Sequence, residues 1–357
     1  MKRFMIVAAS LILGVSMLMF GSAPQQPAPP ASTGEVIALI QWMTTGDLDK
    51  SEQFFHGLMG LESLGGDPRM RLGWYGVVPF LTEMYQVKGS ARNFSLRIPG
   101  TDMGVEPIQW SEAKGKPLPS RIQDPGAGHL IFNTWNIDGF MERITKGDVQ
   151  ILSAGRRPVT VTGPNGRNSV VWMRQPNGFF VALVQPYPPP PAPGANGAPS
   201  PTWYLGAHAG FAVEDTEKTA RFYREVLGLQ VQTGEFEAAK DQMDAFGISG
   251  GQYRISTVRV RGNSEVRLVE FKGIDRKPLQ MQIADPNALI LRFRVRGIDA
   301  LAARIKAAET KVVSLSGGPY ANGQTRWLMV QGPDNVFVQL TEAPSNAPNP
   351  GAPALPR

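Results

Sequence analysis

The chain has 357 residues, 42% hydrophobic and 18% charged, with 39 Gly, 31 Pro and no Cys. Its length exceeds one ordinary domain and its apolar share excludes global disorder; the lack of cysteine excludes disulfides, thiolate zinc sites and iron–sulfur clusters. Lys+Arg total 36 against 30 Asp+Glu, a formal charge of +6 without a basic run, so nucleic acid is not an expected partner.

Lys2 and Arg3 precede an apolar run from Phe4 to Phe20, and Gly21, Ser22 and Ala23 follow it. A positive start, a short greasy stretch and small residues predict a signal peptide over 1–23 and an exported protein, periplasmic or secreted. A retained anchor stays open, since a spanning helix needs about 20 apolar residues; no other membrane contact is expected. Proline then clusters in a spacer at 24–34, a linker at 186–201 and a tail at 344–357. Such stretches have little to pack and behave as spacers, leaving candidate domains at 35–185 and 202–343.

These two domains repeat each other. Asp47 opens a helix through Phe54 and Phe55 to Gly60, and Asp215 opens its counterpart through Phe222 and Tyr223 to Gly228. Each Asp is placed to cap its helix and each Gly to end it in a left-handed turn, with Phe54/Leu58 and Phe222/Val226 packing on a sheet. Gln123-Asp124-Pro125-Gly126 matches Ala284-Asp285-Pro286-Asn287, each followed by a strand and a helix, Gly139–Ile144 and Asp299–Ala308. Pro176-Asn177-Gly178 and Pro333-Asp334-Asn335 each precede a closing strand. Strand, helix and strands therefore occur four times, as four βαβββ units in an α+β chain.

The Asp-to-Gly helices, the Asp-Pro hinges and the turns before the last strands resemble the vicinal oxygen chelate superfamily. It includes glyoxalase I, bleomycin-resistance proteins and extradiol dioxygenases. The resemblance covers both candidate domains. It implies two cup-shaped domains, each made of two units curved around one ligand site, and each half of the chain is expected to form its own cup. Pairing of unit two with unit three is the alternative, and it would bring His129 and His208 together beside Ala182 and Arg267.

In family enzymes the cup holds a divalent metal through residues on the first and last strands of its units. Those positions fall on Ile40, Glu106, His129 and Ala182 in the first half, and on His208, Arg267, Ile290 and Gln339 in the second. Zinc wants three or four protein donors, and neither set supplies them. Glu106, His129 and His208 are the remaining metal candidates; a divalent metal is the one cofactor the resemblance suggests. The expectation is that Glu106 and His129 approach each other in the first cup without completing a metal site.

Strand alternation turns Leu289, Leu291, Phe293 and Val295 to the helix side and Ile290, Arg292 and Arg294 to the cup. It likewise turns Leu130 and Phe132 to the core and His129, Ile131 and Asn133 to the cup, with Trp42 sharing the face of Ile40. Glu270 points away from the cup that holds Arg267, and His56 lies on the solvated outer part of its helix. The expected ligand-binding set is therefore Trp42, Glu106, His129, Asn133, His208, Arg267, Arg292 and Gln339. Arg267 and Arg292 are expected in one concavity, where an anionic small molecule or an acidic neighbour would offset them.

Two functions stay open. The first is an exported protein that binds a small, anionic organic molecule with the family metal site largely lost. The second is a metal-dependent glyoxalase-like lyase or extradiol-type dioxygenase. The donor count favours the first. A homodimer is a further expectation, because such sheets have edges to cover.

Overall fold

The chain alternates strands with short helices throughout. In this computed structural model the described residues are 34–64, 73–76, 79–101, 103–112, 120–163, 166–191, 203–260, 264–342 and 344. The expected signal peptide lies outside them, as do the spacer up to residue 33, most of the linker and the tail beyond 344. Among the described residues no helix is long and apolar enough to cross a membrane.

Unit one comprises β1 (Glu35–Thr44), α1 (Leu48–Glu52), β2 (Glu62–Ser63), β3 (Tyr75–Gly76), α2 (Pro79–Tyr85), β4 (Ser90–Asn93), β5 (Leu96–Arg97) and β6 (Gly104–Trp110). Unit two comprises β7 (Gly128–Thr134), α3 (Ile137–Ile144), β8 (Gln150–Ile151), β9 (Val159–Gly163), β10 (Gly166–Arg174) and β11 (Phe180–Tyr187). Unit three holds β12 (Tyr204–Val213), α4 (Thr216–Arg221), β13 (Gln230–Gln232), α5 (Lys240–Phe246), β14 (Gln252–Arg259) and β15 (Glu265–Lys272). Unit four holds β16 (Leu289–Arg296), α6 (Ile298–Ala307), β17 (Lys311–Val312), β18 (Tyr320–Asn322), β19 (Thr325–Gln331) and β20 (Phe337–Glu342).

The helix signals act as the sequence suggests. Asp47 and Asp215 accept from the backbone N–H of Lys50 and Lys218 at 3.1 and 3.0 Å. α1 and α4 widen into π-helical turns at Gln53–Leu58 and Phe222–Val226, after which Gly60 and Gly228 take φ of 71° and 72°. His56 is not simply solvated, since its Nδ1 lies 2.7 Å from the Leu61 carbonyl oxygen across the end of that turn.

The pairing of units corrects the expectation that each half forms its own cup. β1 runs antiparallel to β16, with Ile40 opposite Arg292, and units one and four share one sheet. β7 runs antiparallel to β12, with His129 opposite Gly210, and units two and three share the other. The Asp-Pro hinges make the crossing: Gly126 N–H donates to the Ala212 carbonyl and Asn287 N–H to the Thr44 carbonyl, at 2.8 and 2.7 Å. All four units carry the same alternation, so their patterns fit either pairing equally well. Glu106 and His129 therefore stand in different cups, and so do Arg267 and Arg292.

One apolar core joins the two sheets. It gathers Phe54 and Phe222 from the helical turns with Leu130, Phe132, Leu289, Leu291, Phe293 and Val295, which alternation turns away from the cups. Each such side chain contributes about 1.5–3 kcal/mol by leaving water. Glu270 also faces this side, accepting from Thr216 N–H and Arg254 Nη2 at 2.8 Å each. Matching polar contacts tie the helices of units one and three to the closing turns of units two and four. Asn177 Nδ2 donates to Ser51 Oγ at 2.9 Å, and Thr219 Oγ1 donates to Asp334 Oδ2 at 2.7 Å.

Two helices have no counterpart in the sequence reading. α2 and α5 are inserted within units one and three, and each lies over its own cup. α5 places Phe246 against Trp172, with ring centroids 5.3 Å apart, while α2 places Phe80 against Trp327 at 4.6 Å.

Candidate functional site

The cup of units two and three contains a cavity of about 620 Å³. Its apolar wall includes Ile131, Val170, Trp172, Phe246, Tyr253 and Val269, and a polar strip crosses it through Asn133, His208, Thr257, Glu265 and Arg267. Central strands supply the strip because alternation keeps every second residue on the concave face.

The strip is a connected chain. Asn133 and His208 lie diagonally across β7 and β12, with Asn133 Nδ2 2.9 Å from His208 Nε2. His208 Nδ1 faces Glu265 Oε2 at 3.7 Å. Arg267 Nη2 meets the same Glu265 oxygen at 2.6 Å, while its Nη1 donates to Thr257 Oγ1 at 2.7 Å. Burial and, after it, the Arg267 guanidinium lower the His208 pKa to about 4, with Glu265 working in the opposite direction. The ring is thus neutral near pH 7, so the Asn133 amide donates to Nε2 and the ring proton sits on Nδ1.

His129 shares the face of Ile131 and Asn133 on β7. It is 1% exposed, packs edge-on against Trp172 at 5.1 Å and has no well-formed hydrogen bond at either ring nitrogen. Burial holds its pKa down to about 3, only partly opposed by the backbone at Ala127. Ala182, beside Ile131 on β11, adds no polar atom.

The other cup brings Glu106, Arg292 and Gln339 together. Arg292 Nη1 lies 3.4 Å from Glu106 Oε2, and its guanidinium sits 4.8 Å above the Trp327 ring. Gln339 is fully buried on the neighbouring strand and donates from Nε2 to Tyr85 Oη at 3.3 Å. Trp42 stands opposite Glu106 and Ile290 in the strand registers.

The expected anion-binding concavity is therefore divided. Each arginine faces a carboxylate, Arg267 with Glu265 and Arg292 with Glu106, so an acidic neighbour takes the place allotted to an anion. Sequence reasoning missed Glu265. The signal was present, because Glu265 lies two residues before Arg267 and the period of two puts both on one face. Thr257 and Phe246 were missed as well, since they come from segments to which no role was assigned. Among the described residues no three His, Asp or Glu side chains cluster in a way that could hold a metal ion.

Residues 207–340 match the family model of the Glyoxalase/Bleomycin resistance protein/Dioxygenase superfamily. The fold resembles that of glyoxalase I from Zea mays, with a TM-score of 0.55 and 15% identity over 87% of this chain and 94% of that one. A putative dioxygenase from Bacillus subtilis subsp. subtilis str. 168 gives a TM-score of 0.52 and 13% identity over 87% and 86% of the two chains. At such identity the likeness shows the fold alone. The comparison with curated protein sequences gives no match.

Proposed function

We propose that the chain, whose residues 207–340 match the model of the Glyoxalase/Bleomycin resistance protein/Dioxygenase superfamily, is an exported binding protein for a small organic molecule. The ligand would occupy the cup of units two and three. The observation that carries this reading is the 620 Å³ cavity, with an aromatic wall on one side and a hydrogen-bonded polar strip on the other. That is the usual make-up of a small-molecule site. It suits a ligand with an apolar body and a polar edge that both donates and accepts.

The family's metal does not fit the residues present. At its four positions this cup offers His129, Ala182, His208 and Arg267, two imidazoles beside a methyl group and a cation. His208 Nε2 already contacts Asn133, and Arg267 brings a positive charge where a cation would have to sit. In the other cup the same positions offer Ile40, Glu106, Ile290 and Gln339.

The test is to dialyse the purified protein, measure its bound metal, and screen it against aromatic small molecules by thermal shift. Substoichiometric metal and a stabilising ligand whose effect is lost in His208→Leu support the reading. Stoichiometric metal that His208→Leu releases would overturn it in favour of the lyase or dioxygenase. Export is tested separately by fusing residues 1–34 to a reporter and fractionating the cells. A reporter left in the cytoplasm refutes it.

A further inference from the structure

α5 belongs to unit three yet is fastened to unit two. It has seven residues, and its N-cap position, Ala239, supplies no side-chain hydrogen bond. So short a helix depends on tertiary anchors. Near its start the Asp241 carboxylate accepts from Thr162 N–H on β9 at 2.8 Å. At its end Ser153 Oγ donates to the Ala245 carbonyl oxygen at 2.5 Å, meeting one of the orphaned carbonyls of the last turn. The same hydroxyl accepts from Trp172 N–H on β10 at 2.8 Å. Gly247, at φ 73°, then lets the chain pass the Leu152 carbonyl oxygen, which lies 2.1 Å from where a Cβ would stand.

Ser153 is 2% exposed and joins two parts of the aromatic wall. One of its bonds holds the strand that carries Trp172, the other the helix that carries Phe246. Phe246 in turn packs on Tyr253 and Phe271, with ring centroids 5.9 and 5.0 Å apart. Trp172, Phe246 and Tyr253 all line the cavity. Where α5 rests therefore sets the span from the aromatic wall to the polar strip. The other cup has a looser version: Ser314 Oγ accepts from Met329 N–H at 2.8 Å, but its partner on α2 is Met84 Sδ at 3.7 Å, a weak acceptor.

We propose that Ser153 is the positioning residue that fixes the span of the ligand cup and so selects ligands by length. The favoured molecule is a neutral aromatic whose ring meets Phe246 while its polar edge meets the strip. Without the hydroxyl the last turn of α5 loses its tie to β10, and a longer ring system gains room. The inference rests on the assignment of a ligand to this cup.

The experiment titrates the full chain by calorimetry with benzamide and the longer 2-naphthamide, and follows amide hydrogen exchange in parallel. Ser153→Ala should speed exchange across α5 and shift the affinity ratio toward 2-naphthamide, each by about tenfold, the scale of one hydrogen bond. Ser153→Thr keeps the hydroxyl and should keep the ratio of the unaltered chain. Ser314→Ala removes the matching acceptor in the other cup, which controls for general loosening, and should change neither the ratio nor the exchange of α5. Asp241→Ala frees the other end of α5 and takes the place of Ser153→Ala if that variant does not fold. Three outcomes overturn the proposal: exchange in α5 indifferent to Ser153→Ala, an unchanged ratio, or the same shift in Ser314→Ala. If neither amide binds the unaltered chain, the assignment of a ligand to this cup falls and this inference with it, whereas binding with an unchanged ratio defeats this inference alone.

Discussion

A Cβ on Gly210 would stand 2.2 Å from Nε2 of its cross-strand partner His129 and 2.6 Å from the Arg267 carbonyl oxygen. The imidazole lies where that side chain would go, so the absence of one makes room for the other. Gly210→Ala should cost about 1–3 kcal/mol, the usual penalty of overpacking, in urea denaturation. A change below about 0.5 kcal/mol would show that His129 moves aside freely.

The same burial makes the fold sensitive to acid. His129 titrates near 3 in the folded chain against 6.5 when exposed. The unfolded state therefore binds more protons between those values, and stability falls as pH drops from 6.5 toward 3. This group contributes a slope of about 1.4 kcal/mol per pH unit across that window. His208, titrating near 4, adds to it between 6.5 and 4. His129→Leu should flatten denaturation midpoints measured from pH 7 to pH 4.5, and an unchanged pH profile would contradict this account.

The shared Glu265 oxygen sets the charge that a ligand meets. Glu265→Gln leaves Arg267 with only Thr257 among its contacts in the strip, so carboxylate ligands should bind about tenfold or more tightly than before, on the scale of one charged hydrogen bond. Arg267→Met should have the opposite effect, leaving uncharged ligands nearly unaffected. Calorimetric titration with benzoate and benzamide separates the cases. Equal changes for both probes would sink this reading.

Asp334 and Asn177 occupy equivalent turns with different chemistry. Burial raises the Asp334 pKa, with the Glu214 N–H and the Thr219 hydroxyl working against it at 2.8 and 2.7 Å. An amide can reproduce both contacts, accepting from Glu214 and donating to the Thr219 oxygen, much as Asn177 donates to Ser51. Asp334→Asn should therefore cost less than about 1 kcal/mol, and Asp334→Ala about 1–3 kcal/mol through the orphaned partners. Thermal unfolding of the two variants distinguishes them, and equal losses would refute the comparison.

Separate halves of the chain should not behave as domains. Residues 34–191 alone would leave β1 and β7 without their antiparallel partners, two open edges of the kind that recruit another chain. The expected species in light scattering after gel filtration is a dimer or larger. A compact monomer with native-like strand content would show that units one and two can close a cup together.

Much of the architecture was legible because its signals are local. Asp47 and Asp215 as caps, Gly60 and Gly228 as stops, and the alternation from Leu289 to Val295 each depend on a few neighbouring residues. Partner choice was not legible, since Ile40 opposite Arg292 is a contact between residues hundreds of positions apart and the same pattern suits another partner. The candidate site suffered accordingly. His129, Asn133, His208 and Arg267 lie in one cup, whereas Glu106, Arg292 and Gln339 lie in the other. Glu265 is legible only when the period of two is run backward from Arg267, which puts the two side chains on one face.

The crossing at the Asp-Pro hinges separates covalent continuity from structural unity. Cutting the backbone within 192–202 would divide the polypeptide yet sever no strand in either sheet, so the fragments would stay interlocked as complementary pieces. Heredity follows the same geometry. Each half contributes one wall to each cup, and a substitution that alters the frame of one half is felt by both, so neither cup drifts independently of the other.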